Sequence, residues 1–401
     1  MELSYTDLVV IGGGPAGMMC AYQAAQRGRS VVLLEPNDKL GRKLRITGKG
    51  RCNLTNECDV RTVMQNIPGD GRFLYSALTR FPPERTMEFF RSLGVPLKTE
   101  RGNRVFPVSD RADEVADALV KRLSALGVRV IRTRATKILT EDGAVCGVET
   151  KDGRRVETCA VIANVFPDVV YGKLLDDKSL VPAFERKKMQ ARSYGFRGFS
   201  VYMGLDRSAE ELGIRDYNVF INSSADTKEL FRQAAAPDLP LGGRADNLSC
   251  TCLNVVNPEA TPPGTAHFAI TTGFAADAWD KAVTPENYVR VKREMADMMI
   301  ERYEQVMGVD IRNHIEEIAI ATPVTFARYM GTPQGAIYGY HSSRWDGMSA
   351  RTLVGGSEPT VPGLFFVGAH GARLSGFLPT LTSGDLTAKQ VMGYVMGGGK
   401  A

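Results

Sequence analysis

The sequence predicts an α/β protein: a Rossmann-like domain built on a parallel sheet and split by an inserted, mostly antiparallel α+β domain. Three observations carry that prediction. A short stretch, residues 7–11, continuously apolar after Asp7, runs into Gly12-Gly13-Gly14-Pro15-Ala16-Gly17, then a helical pattern to Arg27 and a second stretch, 30–34, apolar after Ser30. Such short runs, apolar on both faces, belong to βαβ units of parallel sheets. From about Pro167 the texture changes to alternating strands and longer connections, and near Thr332 the chain returns to Gly-rich apolar segments ending in another buried strand. At 401 residues the chain exceeds one ordinary core. It divides into 1–165 and 331–401, which form the Rossmann-like domain, and 166–330, the substrate or cap domain.

The elements follow in order. Residues 7–11 and 30–34 are strands flanking the 15–27 helix, which Gly28 closes. Residues 41–56 are Gly- and Arg-rich without a period, hence an ordered loop. Residues 83–93 and 112–126 read as helices, the second with Val115, Leu119, Leu123 and Leu126 on one stripe. Strands are expected at 128–134, 136–141, 145–150 and 155–163, with turns at Asp142-Gly143 and Asp152-Gly153. The insert supplies strands at 199–205, 218–222, 248–256 and 267–272 and a helix at 286–307; a strand at 363–368 and a helix at 382–395 close the chain.

Composition excludes several classes. With 43% hydrophobic and 24% charged residues, and 41 Gly and 20 Pro lacking a period, the chain is neither fibrous nor disordered. A net charge of +5 with 8% aromatics, and no basic stripe interleaved with aromatics, argues against nucleic acid. Seven scattered cysteines without a C-x-x-C pair, and four histidines, make neither a disulfide framework nor a zinc site. Cys250 and Cys252 alternate on an expected strand and read as core residues. A polar start without a signal-peptide pattern, and no apolar run near 18 residues, point to a cytoplasmic protein with no integral membrane segment. Oligomeric state is not legible.

Gly12-Gly13-Gly14-Pro15-Ala16-Gly17 fits G-x-G-x-x-G between a strand and a helix. The first glycine permits the turn, the second lets backbone approach a pyrophosphate, and the third lets helix and strand pack. Glu35, 18 residues past Gly17, can accept from a ribose 2′-OH. Pro15 and Ala16 at the helix start, Pro36, and Thr136 count with these cofactor contacts. Between Lys39 and Arg51 stand six cations and no acid, an anion-binding signal or a solvated loop. The run Gly48-Lys49-Gly50-Arg51-Cys52-Asn53 offers glycines, cations and N–H groups beyond the ribose, which favours FAD over NAD. No second G-x-G-x-x-G exists, so NAD(P)H is expected only as a transient electron donor. Near the C-terminus, Gly368 ends a buried strand, and Leu381-Thr382-Ser383-Gly384 is expected to open a helix whose N–H groups face the flavin; Thr380 precedes it.

These residues resemble two-domain FAD oxidoreductases of the glutathione-reductase-like superfamily. Leu40-Gly41-Arg42-Lys43-Leu44 with Gly48-Lys49-Gly50-Arg51-Cys52-Asn53-Leu54-Thr55-Asn56 and Arg104-Val105-Phe106-Pro107 are similar to BaiN-like, aminoacetone-oxidase-like flavoproteins. That resemblance implies FAD contacts from Arg42, Lys43, Gly50, Arg51, Cys52 and Asn53. Beyond 163, Ala163-Asn164 with Pro167 and Tyr171 to Leu175, Thr322 to Tyr329, and Gly335-Ala336-Ile337-Tyr338-Gly339 resemble phytoene desaturases, carotenoid isomerases and retinol saturases. This implies chemistry on C=C bonds of hydrophobic polyenes. The Gly-Asp usual in that group's last strand is here Gly368-Ala369.

Candidate catalytic residues come from position. Arg373 can bind a substrate carboxylate or polarise an enone, or be a surface loop arginine; His370 can face the flavin or bond its own loop. Tyr338, with Tyr340 and His341, can line a cavity and supply a proton, or be core aromatics. Cys52 reads as a structural thiol. The expectation is hydride transfer at flavin N5 to or from a C–C or C=C bond of a small, hydrophobic, conjugated substrate: reductase, saturase, desaturase or isomerase. The alternatives are an amine or amino-acid-type oxidase, or a non-catalytic flavin-binding accessory protein.

Overall fold

The computed structural model describes residues 2–3, 5–66, 75–234, 238–239, 247–275, 277–341, 345–346, 351, 360–369 and 376–398. The chain divides into two compact units, 1–192 with 342–401, and 193–341.

The first unit is organised by a five-stranded parallel sheet in the spatial order Leu364–Phe366, Val161–Ala163, Leu8–Ile11, Val31–Leu34, Arg129–Ile131. Strand periodicity sorts its side chains. Leu8, Val10, Leu33, Ile162 and Phe365 lie in one core with the helices Pro15–Ala25, Ala112–Ala125 and Phe377–Met396. Val9, Ile11, Val32, Leu34 and Val161 fall in another with Ile138, Val145, Val148 and Val156 of a second sheet, antiparallel except at its parallel edge strand Glu2–Leu3. That sheet runs Glu2–Leu3, Arg155–Glu157, Ala144–Thr150, Ala135–Glu141. The second face is thus covered by strands, where a doubly wound reading expects helices. The expected 155–163 strand is two: after Glu157 the chain turns, Ala160 N–H donating to Thr158 Oγ1 at 3.2 Å, and resumes as Val161–Ala163 in the other sheet. An apolar run without a Gly or Pro break hides such a change of partner.

A small sheet, Thr55–Asn56, Arg104–Pro107, Leu97–Glu100, has no clear alternation and escapes sequence reading. The closing helix also starts earlier than residue 382, at Phe377 after Gly376. Pro379 in its first turn misleads; N–H groups there lack helical acceptors anyway, so proline is tolerated. Leu381 to Gly384 therefore lie inside the helix. A Cβ on Gly384 would sit 2.6 Å from Ala16 O, and the Cys20 thiol donates to Gly384 O at 3.0 Å, so this glycine seats the last helix on the first.

The second unit carries a five-stranded antiparallel sheet ordered Asn218–Asn222, Asn247–Cys252, Ala266–Phe274, Arg197–Leu205, Ile315–Ala321. Phe199, Val201, Met203, Cys250, Cys252, Phe268 and Ile270 pack on Val291, Met295, Met299 and Tyr303 of the Tyr288–Met307 helix. The alternate residues form a different surface: Ser200 and Thr271 share a hydrogen bond at 3.0 Å, and Thr251 Oγ1 donates to Asn218 Oδ1 at 2.9 Å. The expected 248–256 strand stops at Cys252 and continues as the helical turn Leu253–Val255.

Candidate cofactor site

The Gly-rich turn joins the Leu8–Ile11 strand to the Pro15–Ala25 helix. Gly12 has φ 100°, open to glycine and strained for other residues. A Cβ on Gly17 would lie 2.2 Å from Gly12 O, so the third glycine lets the helix close on the strand. A Cβ on Gly14 would meet Asn164 Nδ2 at 2.7 Å. Gly14 caps the helix without any side-chain hydrogen bond, and Pro15 occupies its first turn; no acid lies there. Its amino end therefore offers free backbone donors and a positive dipole end to an anion.

Buried Glu35 closes the turn from the next strand: Gly13 N–H donates to Oε2 at 2.8 Å, and Asn37 N–H and Nδ2 donate to Oε1 at 3.0 and 2.5 Å. Three donors leave one of about four lone-pair sites open for a ribose hydroxyl. Gly41 N–H donates to Gly13 O at 2.8 Å, which docks the basic loop on the turn.

The loop's six cations split by partner. Arg45 reaches Asp113 and Asp117 of the Ala112–Ala125 helix at 2.5 and 2.6 Å. Arg51 is buried, pairs with Glu100 and Asp110, and lies 4.3 Å over the Phe106 ring. Both fasten the loop. Arg42 Nη1 donates to Asn37 Oδ1 at 2.8 Å. The Lys43 ammonium has no hydrogen-bond or ion-pair partner among the described residues; the side chain is exposed, and desolvation holds its ammonium below the ordinary lysine value. Lys43, like exposed Lys39, is thus a loop cation able to meet a ligand anion.

The 48–53 backbone is left-handed at Gly48, Lys49, Gly50 and Cys52, with φ of 59°, 60°, 91° and 62°. A Cβ on Gly48 would stand 2.5 Å from Asn53 N. Ala112 N–H donates to Gly50 O at 2.7 Å. Cys52 is fully buried and desolvation pushes its thiol far up, a structural rather than nucleophilic cysteine. Asn53 Oδ1 is buried with no hydrogen-bond partner among the described residues. This orphaned acceptor, the uncapped helix start and the side-chain-free Gly12–Gly14 turn are what a bound dinucleotide would satisfy, and they fit one.

The other expected contacts scatter. Gly368 has φ 100°, and its N–H donates to Ser383 Oγ at 3.2 Å. Thr380 Oγ1 donates to Phe377 O at 2.8 Å, and exposed Thr136 donates to Glu149 O on the antiparallel sheet at 3.2 Å, so both hydroxyls have backbone uses. His370 and Arg373 lie outside the described residues. In the second unit Tyr338 is 56% exposed, His341 is exposed, and buried Tyr340 stacks on Tyr194 at 5.5 Å. Asn164, part of the sequence resemblance but not among the expected cofactor contacts, lies against the Gly-rich turn, its Nδ2 donating to Gly12 O at 3.3 Å. The available signal was a lone amide directly after an apolar strand, where parallel sheets present side chains to ligands.

A parallel sheet with a G-x-G-x-x-G turn, an acid on the neighbouring strand and a second glycine cradle defines a Rossmann-type dinucleotide-binding protein. Residues 6–165 match the HI0933-like protein Rossmann domain. The chain is 34% identical over 158 residues to a 3-dehydro-bile acid delta(4,6)-reductase of Clostridium scindens, covering 38% of this chain and 37% of that protein. It is 34% identical over 115 residues to a ribosomal RNA dihydrouridine synthase of Escherichia coli, covering 28% of each. It is 26% identical over 245 residues to an all-trans-retinol 13,14-reductase of Danio rerio, covering 57% of this chain and 40% of that protein. The chain therefore spans well under half the length of these relatives. Among the described residues no helix is long and apolar enough to cross a membrane, and no cluster of His, Cys, Asp or Glu could hold a metal.

Proposed function

We propose that the protein is an FAD-dependent oxidoreductase that adds hydrogen across a C=C bond, or removes it from a C–C bond, of a small, hydrophobic, conjugated substrate. The observation that carries the FAD half is the double cradle, the Gly12–Gly17 turn with Glu35 and the Gly48–Asn53 loop pinned by Gly41 N–H. Gly14, Ala16 and Gly17 hold the pyrophosphate, Glu35 the adenosine ribose, and Lys43 and Asn53 the part beyond it. FAD, when bound, supplies the hydride-accepting and hydride-donating centre. Two relatives are named reductases, of a 3-dehydro-bile acid and of all-trans-retinol, both hydrophobic molecules. Exposed Tyr338 and Tyr329 give the second unit aromatic surface for such a molecule. Each buried CH₂ contributes about 0.8 kcal/mol, which favours an apolar substrate over a small acid. Arg373 is assigned to polarising the substrate carbonyl, with His370 or Tyr338 as proton donor. The relative named a ribosomal RNA dihydrouridine synthase makes RNA the competing substrate; the mild net charge of +5 speaks against it.

The test is direct. The purified protein releases FAD on heating, and its anaerobically reduced flavin is reoxidised faster by a steroid enone or polyene than by small dicarboxylates or an RNA hairpin. Arg373→Ala keeps FAD and loses turnover. Release of FMN, or no flavin even after reconstitution, refutes the cofactor; reoxidation by fumarate-like acids alone refutes the substrate class. Reduction by NADH and NADPH in the same cell identifies the electron donor.

A further inference from the structure

We infer that Asn164 is a cofactor-binding residue, whose carboxamide takes the polyol that joins the pyrophosphate of the dinucleotide to its second ring. The inference rests on the FAD reading above. Strand order supplies the direction. With the pyrophosphate at the turn after Leu8–Ile11 and the adenosine ribose at Glu35, on the neighbouring strand to one side, the other half of the ligand must run the opposite way. It crosses the carboxyl ends of Val161–Ala163 and then Leu364–Phe366. Strands lie about 4.8 Å apart, so these two ends cover roughly the first 10 Å beyond the turn.

Along that path the described side chains include Asn164 and Ser383, and the Ser383 hydroxyl already accepts from Gly368 N–H at 3.2 Å. Gly368 has no side chain and Ala369 only a methyl; Asn164 directly follows Ala163. Its backbone N–H donates to Ile11 O at 2.9 Å and its Nδ2 donates to Gly12 O at 3.3 Å, which orients the amide. Atoms built on the flanking glycines show where it lies. A Cβ on Gly14 would come within 2.7 Å of Asn164 Nδ2, and one on Gly368 within 2.6 Å of Oδ1. The carboxamide thus bridges the gap between the phosphate turn and the last strand, nitrogen toward the first and oxygen toward the second. It is half-buried, and Oδ1 and the second N–H have no partner among the described residues. One acceptor and one donor, held in place and facing the ligand's path, suit a chain of hydroxyls, each of which both donates and accepts. The same placement explains why Gly14 and Gly368 carry no side chain: either Cβ would displace the amide.

The test compares two ligands on the full-length protein stripped of flavin. FAD carries the polyol; ADP carries only the adenosine half and the pyrophosphate. Calorimetry on Asn164→Ala is expected to show FAD bound about tenfold more weakly, with ADP affinity within about twofold of wild type. Asn164→Ser, which keeps a short hydroxyl, is expected to show the same FAD-selective loss in smaller measure, and it serves if the alanine variant does not fold. Equal weakening of FAD and ADP overturns the inference by making Asn164 a prop for the Gly-rich turn. Unchanged FAD affinity in either variant also overturns it. Wild-type protein that binds ADP but not FAD sinks the flavoprotein reading itself, before any variant is measured.

Discussion

Gly17→Ala and Gly393→Ala are the same chemical change, each inside a helix of the first unit, and they are expected to move stability in opposite directions. In isolation either substitution favours a helix by about 1 kcal/mol, because glycine has more backbone freedom to lose. At Gly393, exposed on the Phe377–Met396 helix, a Cβ would have no atom within 4 Å, so the propensity gain of about 0.5–1 kcal/mol stands. At Gly17 the Cβ would lie 2.2 Å from Gly12 O and 3.2 Å from Val10 Cγ1. Favourable non-bonded carbon contacts fall at about 3.5–4.0 Å, so the helix must back away from the strand by about 1 Å. Overpacking of this kind costs about 1–3 kcal/mol, and the upper end applies because the obstacle is backbone and cannot rotate aside. Subtracting the propensity gain leaves Gly17→Ala about 2 kcal/mol less stable than wild type, a gap of about 3 kcal/mol from Gly393→Ala. Urea titrations followed by circular dichroism read the gap as a difference in midpoint at constant slope. Equal midpoints for the two variants would refute the close approach of helix and strand, and with it the reason given for the third glycine.

Gly14→Val should abolish FAD binding because its side chain displaces Asn164 and blocks the phosphate turn, whereas Cys250→Ala, in the core of the second unit, should keep its flavin; equal flavin content in the purified variants would contradict this. Arg51→Met leaves Glu100 and Asp110 without their guanidinium and should cost about 2–3 kcal/mol at pH 7, below the figure for a fully buried pair because Glu100 is partly exposed. Burial alone would raise the Glu100 carboxyl, but Arg51 and Lys98 outweigh it and hold it low, so the stability it contributes is present above about pH 4.3 and fades as pH falls through the lower folded value. Urea titrations at pH 7 and pH 3 should therefore show the gap between wild type and Arg51→Met shrinking in acid. Lys43, whose ammonium desolvation holds below the ordinary lysine value, should lose its proton at a lower pH than a free lysine, so FAD affinity measured by calorimetry should weaken as pH rises through the alkaline range in wild type and lose that slope in Lys43→Met.

The residues that sequence alone assigns to the dinucleotide turn are those whose roles are local. Gly12, Gly17 and Glu35 act within one βαβ unit, where spacing of a few residues dictates position, and the structure puts them where the motif requires. The basic loop was legible only as a charge run. Six cations in thirteen residues look alike on paper, and which of them fasten the loop was decided by Asp113, Asp117, Glu100 and Asp110, acids that folding brings in from far along the chain. The 155–163 stretch shows the same limit for strands: an apolar run signals burial, but which sheet each half joins depends on partners that the run does not contain. Asn164 is the sharpest case. Sequence determined that an amide follows a buried strand; only the pairing of that strand with Leu8–Ile11 on one side and Leu364–Phe366 on the other set the amide between Gly14 and Gly368. A local pattern encodes backbone conformation and burial, whereas a binding site is a set of distances between segments, and those exist only once the chain has packed.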